Sequence, residues 1–160
     1  MDAGGSYVAV IGASVATAEQ ERVAEEVGRR LAQAGVIVIT GGGGGVMAAA
    51  SRGAAQAGGT VIGILPGADR DHANPWVSIA LPTGLGELRN GLIVRAADVA
   101  IAVGGAYGTL SEIALALVGN VPVIGIDSWD VEGVQAAGSP QEAVRRALAL
   151  AAGGGVESRS

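Results

Sequence analysis

The sequence predicts a three-layer α/β fold, in which a parallel sheet carries helices on both of its faces. Along the 160 residues, short apolar runs alternate with longer segments of helical periodicity. The short runs are apolar at consecutive positions, which is typical of strands buried on both sides. Glycine contributes 28 residues and clusters where the runs end, without a fixed period. Parallel strands need crossover connections, and right-handed crossovers place helices on either side of the sheet.

Six strands are predicted from short runs rich in valine and isoleucine that end at glycine, proline or polar residues. The fifth run has β-branched residues at alternate positions. Pro122 is compatible with the sixth run because it falls near the start of that strand. In chain order, the predicted strands cover residues 7–11, 36–40, 60–65, 76–81, 99–103 and 121–126.

Helices are predicted between these strands and after the last one. Thr17 and Gln20 form a capping box at the start of the first helix, and Gly35 is placed to end it. Ser139-Pro-Gln-Glu142 is a second capping box, with proline at the first helical position of the last helix. The predicted helices cover residues 17–34, 46–57 and 87–97, a segment that follows the turn at 104–109 and ends at Gly119, and residues 140–153.

The stretch from Asp98 to Glu112 combines a buried strand, a glycine-rich turn and the start of a helix. Gly104, Gly105 and Gly108 permit a sharp turn that exposes backbone N–H groups. At a helix N-terminus these groups and the helix dipole together attract anions, so we predict a phosphate-bearing ligand here. The apolar residues that share the predicted helix face are Leu110, Ile113, Ala114 and Leu117.

Composition excludes several classes of function. The net charge of −5 argues against non-specific binding of nucleic acid and against attraction to an anionic membrane. All ten basic residues are arginine, so neither a Schiff-base lysine for pyridoxal phosphate nor a Walker lysine is available. Cysteine is absent, which removes disulfides, thiolate nucleophiles and cysteine metal sites. Aromatic residues make up only 2%, too few for a platform that stacks single-stranded nucleic acid.

Length and hydropathy predict one domain in the cytoplasm. We expect residues 1–160 to form a single nucleotide-phosphate-binding domain with a frayed tail at about 156–160. Hydrophobic residues make up 49% of the chain, enough for a substantial core. No apolar run reaches the length of a membrane span, and no basic amino-terminal region precedes an apolar segment, so we expect a cytoplasmic protein.

Three glycine-bearing turns follow predicted strands, at Gly12-Ala13-Ser14, at Gly41 to Gly45 and at Gly104 to Thr109. In parallel sheets ligands bind outside the carboxyl ends of the strands, so these turns predict a phosphate site; close helix–strand packing is the alternative explanation for the glycines. A nicotinamide dinucleotide agrees poorly with the sequence, because GxGxxG is missing after the first strand. The second strand also ends without an acidic residue for a ribose hydroxyl.

The segment Gly104-Gly-Ala-Tyr-Gly-Thr-Leu-Ser-Glu112 resembles the motif P-G-G-Y-G-T-x-x-E of the LOG-type family, the phosphoribohydrolases that activate cytokinins. Gly104 stands at the proline position and Ala106 at the second glycine. Arg89 lies nine residues before Asp98, as in that family, and the glycine run followed by Val46-Met47 is similar to its second turn. The likeness covers residues 7 to about 126. The pair Arg89-Asn90 is similar to a bacterial branch that includes molybdenum cofactor carrier proteins.

The resemblance implies a Rossmann-like form of the three-layer parallel sheet and hydrolysis of the N-glycosidic bond of nucleoside 5′-monophosphates such as AMP, giving free base and ribose 5-phosphate. Glu112 would orient ribose hydroxyls or water and stabilise positive charge at the anomeric carbon, and Arg89 would position the carboxylate and the sugar. The implied phosphate- and nucleotide-binding residues are Gly12, Ala13, Ser14, Gly41, Gly42, Gly43, Gly44, Gly45, Met47, Gly104, Gly105, Ala106, Tyr107, Gly108 and Thr109.

Such a hydrolase requires no cofactor and no metal. The alternative is a non-catalytic carrier that binds molybdenum cofactor, and a sensor of nucleotide-derived signals would use the same pocket. Relatives in this family are often labelled lysine decarboxylases, an activity that a chain without lysine cannot perform through an internal aldimine. The expected partners are a small phosphorylated ligand and further copies of this chain in a dimer or tetramer, with no nucleic acid and no membrane.

Several of these residues also have structural explanations. Thr109 and Glu112 have the spacing of a capping box, so Glu112 is either a ligand-facing group or a helix cap. Arg89 is either solvated or partly enclosed beside Ile93 and Ala96. Asp69-Arg-Asp-His72 is more typical of a solvated turn than of a metal site. Trp76 and Trp129 belong either to the core or an interface, or to a cover over a base or pterin.

Overall fold

The computed structural model describes residues 5–153, so the predicted frayed tail lies outside the described residues. The described residues form one seven-stranded sheet in the order β4-β3-β2-β1-β5-β6-β7, and every neighbouring pair is parallel. The strands are β1 (Tyr7–Gly12), β2 (Ile37–Thr40), β3 (Val61–Leu65), β4 (Ile79–Pro82), β5 (Val99–Val103), β6 (Val123–Ile126) and β7 (Val134–Ala136). This confirms the predicted α/β class.

Five α-helices cover the sheet within the described residues: α1 (Ala18–Gln33), α2 (Val46–Gln56), α3 (Asn90–Arg95), α4 (Tyr107–Val118) and α5 (Pro140–Gly153). Two short 3₁₀ helices, Arg70–His72 and Gly86–Arg89, lie in the connections that precede β4 and α3. None of the helices in residues 5–153 is long and apolar enough to cross a membrane.

Side chains of successive strand residues alternate between two cores. Val8 and Val10 of β1 face the core shared with α1, α2 and α5. Ala9 and Ile11 face the core shared with α3 and α4. β5 is buried at all five positions and follows the same alternation. The predicted three layers, with helices on both faces, are therefore confirmed.

Helices α1 and α2 cross at two glycines. A Cβ atom added at Gly28 would lie 2.0 Å from the carbonyl oxygen of Ala50, and one added at Gly53 would lie 2.0 Å from that of Glu25. The two backbones therefore approach so closely that only glycine is accommodated at the crossing. This contact holds α2, and with it Met47, close to the end of β1.

The structure corrects three element predictions. β7 is missing from the predicted set, because its three residues carry no apolar run. The predicted helix at 87–97 is a 3₁₀ turn followed by the six-residue α3. On α4 the buried residues are Thr109, Glu112, Ile113 and Ala116, whereas Ala114 of the predicted apolar face is exposed.

The starts of α1, α5 and α4 show which of the predicted capping interactions are formed. The predicted capping box at Thr17 and Gln20 is present with both of its hydrogen bonds. At α5 the Ser139 hydroxyl accepts from the Glu142 N–H, but the Glu142 carboxylate accepts from the N–H of Gly138. The capping explanation for Glu112 is wrong, because α4 begins at Tyr107 and both Thr109 and Glu112 lie inside it.

Candidate functional site

A cavity of about 580 Å³ opens at the carboxyl ends of the central strands. The chain runs outward from β1 through β2 to β4, then returns to β5 on the other side of β1 and continues to β7. Loops that follow β1 and β5 therefore diverge, which leaves a crevice at this switch point. The cavity is lined by residues 12–15, Met47, Pro66, residues 86, 87, 89 and 90, residues 106–109, Ser111 and Glu112.

The first turn of α4 forms one wall of the cavity. Its N-cap residue is Ala106, so no side chain caps the first N–H groups in the described part of the chain. Gly105 has φ +125°, and a Cβ atom there would lie 2.6 Å from the Thr109 side chain. The turn therefore requires glycine. At Gly108 an added Cβ would meet no atom within 4 Å, so glycine at this position keeps the cavity open.

The turn is held from behind by the loop that follows β6. The Ser128 hydroxyl donates to the carbonyl oxygen of Gly104 over 2.6 Å, and the Trp129 indole N–H donates to that of Ala106 over 3.1 Å. Both carbonyl groups are thereby engaged on the protein side. The uncapped N–H groups of α4 then make this wall attractive to an anion.

Glu112 extends from α4 into the cavity and is only 6% exposed. Burial raises the pKa of its carboxyl group to about 8, and the opposing charge of Arg89 only partly offsets that effect. Within the part of the chain that the structure describes, the Glu112 carboxyl group forms no hydrogen bond or ion pair with another residue. At neutral pH the side chain is therefore mainly a neutral carboxylic acid.

Arg89 lines the same cavity and is held by its neighbours. It donates from Nη1 to the Asn90 side-chain oxygen and, over a long 3.5 Å, from Nη2 to the carbonyl oxygen of Gly41. Its Nε is buried and has no hydrogen-bond partner among the described residues. Burial lowers the pKa of this guanidinium, and Glu112 acts in the opposite direction.

Asn90 links Arg89 to α4. Its side-chain N–H donates to the Ser111 hydroxyl over 3.1 Å, and that hydroxyl donates to the carbonyl oxygen of Gly108 over 2.7 Å. Asn90 is buried. The chain of hydrogen bonds therefore fixes the distance between the arginine and the helix turn.

The run Gly41 to Gly45 is not among the lining residues of the cavity. Asn74 donates from its backbone N–H to the Gly42 carbonyl oxygen over 2.8 Å and from its side chain to that of Gly43 over 3.0 Å. Gly42 also donates its own N–H to the Thr40 hydroxyl. A ligand-binding role for the five glycines stays a prediction.

Ten of the predicted site residues line the cavity, namely Gly12, Ala13, Ser14, Met47, Arg89, Ala106, Tyr107, Gly108, Thr109 and Glu112. Gly104 and Gly105 do not line it. Asp98 lies at the opposite end of β5, where its carboxylate accepts from the N–H of Tyr7. In the LOG-like motif this aspartate therefore joins the starts of two strands.

The remaining candidate residues have structural surroundings. Asp69, Asp71 and His72 are exposed, and the residues described here contain no group of three or more acidic or histidine side chains able to hold a metal. Trp129 packs against the α3/α4 core, and Trp76 is half-buried in the loop before β4.

Sequence reasoning missed six lining residues, namely Val15, Pro66, Gly86, Glu87, Asn90 and Ser111. Ser111 was detectable, because it lies one residue before Glu112 in the motif and three after Gly108 on the same helix. Pro66 was also detectable as the residue that follows β3 at the same edge of the sheet. For Val15 and Glu87 the sequence contains no such signal.

Comparison with known proteins identifies the family. The model of the SLOG cluster4 family matches residues 5–151. The chain belongs to the SLOG cluster4 family. It therefore lies in the LOG-like superfamily, as the motif at residues 104–112 predicted. An uncharacterized protein from Archaeoglobus fulgidus is 41% identical over 138 residues, which cover 86% of this chain and 91% of that protein.

Several solved structures are similar to this chain. The molybdenum cofactor binding protein from the phototrophic bacterium Rippkaea orientalis is 37% identical, with a TM-score of 0.84 over 88% of this chain and 94% of the other. The molybdenum cofactor carrier protein from Chlamydomonas reinhardtii is 33% identical, with a TM-score of 0.85 over 92% and 98% of the two chains. The predicted likeness to this branch is confirmed.

Proposed function

We propose that the cavity binds a small phosphorylated heterocycle and that the protein serves as a binding or carrier protein for molybdenum cofactor. The observation that carries this proposal is that the uncapped first turn of α4 and Arg89 line one cavity. The N–H groups of the turn and the guanidinium are both suited to an anionic group such as a phosphate.

The names of two structural neighbours support molybdenum cofactor as the ligand. At neutral pH the protonated Glu112 is suited to take part in binding. A neutral carboxylic acid donates a hydrogen bond to an acceptor on the ligand, but it does not stabilise positive charge at an anomeric carbon.

Ligand binding is tested with the Arg89→Leu variant. Molybdenum cofactor under anoxic conditions is expected to raise the melting temperature of the wild type, because a ligand that binds only the folded state stabilises it. Loss of the guanidinium is expected to weaken binding at least 10-fold, since a charge-assisted hydrogen bond contributes roughly 1.5–3 kcal/mol.

Arg95→Leu is the matched control, because Arg95 is an exposed arginine on α3 that does not line the cavity. Equal affinity of the wild type and Arg89→Leu would contradict the proposed phosphate site. Absence of any stabilisation by the cofactor in the wild type would contradict the carrier function.

Phosphoribohydrolase activity on AMP-like nucleotides is the second candidate, and the position of Glu112 beside Arg89 in one cavity supports it. An ionised Glu112 is suited to stabilise an oxocarbenium-like transition state. Release of adenine from AMP, if catalysed, is therefore expected to increase as the pH rises through about 8, where this carboxyl group ionises. Activity that is already maximal at pH 6 would contradict this role of Glu112.

We also propose that the protein is a homo-oligomer. Four apolar side chains on the outer side of the α3/α4 layer remain exposed, namely Leu88, Leu92, Leu115 and Val118. Exposed apolar side chains on neighbouring elements favour contact with another protein surface.

A further inference from the structure

Two aromatic rings lie at the edge of the cavity. Tyr107, the first residue of α4, lines the cavity but is 81% exposed. The ring of Trp129 lies 5.9 Å from it, centroid to centroid, at an interplanar angle of 31°. The chain contains only two tyrosines, two tryptophans and no phenylalanine, so half of its aromatic side chains meet at this point.

Trp129 is fixed in this position from two sides. Its indole N–H donates to the carbonyl oxygen of Ala106, and its ring packs against the α3/α4 core. Trp129 therefore packs beside Tyr107 and is hydrogen-bonded to the turn that leads directly into α4. The tyrosine ring has two torsion angles only, so little conformational entropy is lost when a ligand contacts it.

The surroundings of Tyr107 distinguish it from the rest of the cavity. Among the described residues that line the cavity, Tyr107 is the one aromatic residue, and most of the others are small or polar. The ring is adjacent in sequence to Gly108 and Thr109, whose N–H groups belong to the uncapped helix turn. A flat group attached to a phosphate at that turn is therefore within reach of the ring.

We propose that Tyr107, supported by Trp129, is the stacking subsite for the flat heterocycle of the phosphorylated ligand, a purine or a pterin. The phosphate is bound separately, by the turn of α4 and by Arg89. This inference rests on the proposed function, because it assigns the two parts of one ligand to two parts of one cavity. Offset stacking against a supported ring is the geometry that aromatic pairs favour.

The test compares ligands that share a phosphate but differ in the heterocycle. AMP and molybdenum cofactor carry a heterocycle, whereas ribose 5-phosphate has the phosphate and sugar of AMP without the base. Tyr107→Ala is expected to weaken binding of the heterocyclic ligands about 10-fold or more, as loss of stacking on an aromatic side chain does elsewhere. Affinity for ribose 5-phosphate is expected to stay unchanged.

Tyr107→Phe is the matched control, because it retains the ring and removes only the hydroxyl group; it is expected to bind all ligands like the wild type. Thermal unfolding of each variant shows whether it is folded, and light scattering after size exclusion gives its mass.

Unchanged binding of AMP and cofactor to Tyr107→Ala would overturn the stacking subsite while the proposed function stands. Equal weakening of ribose 5-phosphate would also overturn it, because Tyr107 would then act on the phosphate turn. A change of oligomer mass without a change of affinity would identify the ring as part of an interface instead. If the wild type bound none of these ligands, the proposed function would fail first.

Discussion

Glu112 is the residue whose environment matters most for the chemistry of the cavity. The motif at residues 104–112 predicted that Glu112 belongs to the site, but the pKa of Glu112 depends on burial by residues distant in sequence. Such burial is a property of packing, so the sequence alone did not indicate that this carboxyl group is mainly neutral at pH 7.

The raised pKa has a consequence for stability. Between its ordinary value of 4.5 and about 8, Glu112 holds a proton in the folded state that it releases in the unfolded state. The free energy of unfolding therefore decreases as the pH rises through this window, by roughly 1.4 kcal/mol per pH unit from this group. Glu112→Gln removes this contribution of the carboxyl group to the pH dependence of the free energy of unfolding. The difference in free energy of unfolding between wild type and variant, from urea titrations at pH 5 to 7.5, is expected to show that slope.

Glu87→Gln is the control for this measurement, because Glu87 is an exposed carboxylate that lines the same cavity. Stability curves of the wild type and Glu112→Gln that run parallel across this pH range would show that Glu112 is ionised normally in the folded state.

At the scale of elements, the close approach of the α1 and α2 backbones can be tested by adding one methyl group at a glycine of the crossing. Gly28→Ala places a methyl group 2.0 Å from a backbone oxygen of the other helix. Alanine favours a helix over glycine by up to about 1 kcal/mol, but separating two packed helices costs more. The variant is expected to lose roughly 1–3 kcal/mol of unfolding free energy in chemical denaturation.

Gly91→Ala is the matched control, since Gly91 is also helical and its added Cβ would meet only a Leu115 methyl group at 3.8 Å. Its stability is expected to equal or slightly exceed that of the wild type. Equal stability of Gly28→Ala and Gly91→Ala would mean that the α1/α2 crossing adjusts without cost.

Most elements could be predicted because local signals and burial agreed. The fully apolar β5 and the capped α1 are examples. β7 could not be predicted, because an edge strand of three residues is only half covered and needs no apolar run. The start of α4 was misplaced because Thr109 and Glu112 have the spacing of a cap, whereas the glycine turn already ends at Ala106.

At the scale of the whole molecule, the parallel order of the strands brings distant segments into one cavity. Residues 12–15 and 106–112 are far apart in sequence, yet they meet because β1 and β5 are neighbours in the sheet. The sequence predicted this meeting for the turns after β1 and β5. It did not reveal that the glycine run after β2 is absent from the cavity lining, because the position of the run depends on a hydrogen-bond partner in another loop.

The proposed association of subunits is tested on the exposed apolar side of α3 and α4. Val118→Glu places a charge on this surface, where the wild-type side chain is 76% exposed, and is expected to reduce the oligomer to smaller species in light scattering. Ile79→Glu, on strand β4 at the edge of the sheet, is the control and is expected to keep the wild-type mass. A wild type with the mass of a single chain would contradict the oligomer.

The two hydrogen bonds from Asn74 to the run Gly41 to Gly45 affect how fast a ligand can bind. Glycine segments lose more conformational freedom on ordering than other segments do, and a loop that orders only around its ligand slows association. Here the two hydrogen bonds from Asn74 order the run within the folded protein. The run is therefore already ordered before a ligand arrives, so the rate of ligand capture depends on diffusion and orientation, without a rearrangement of the five glycines.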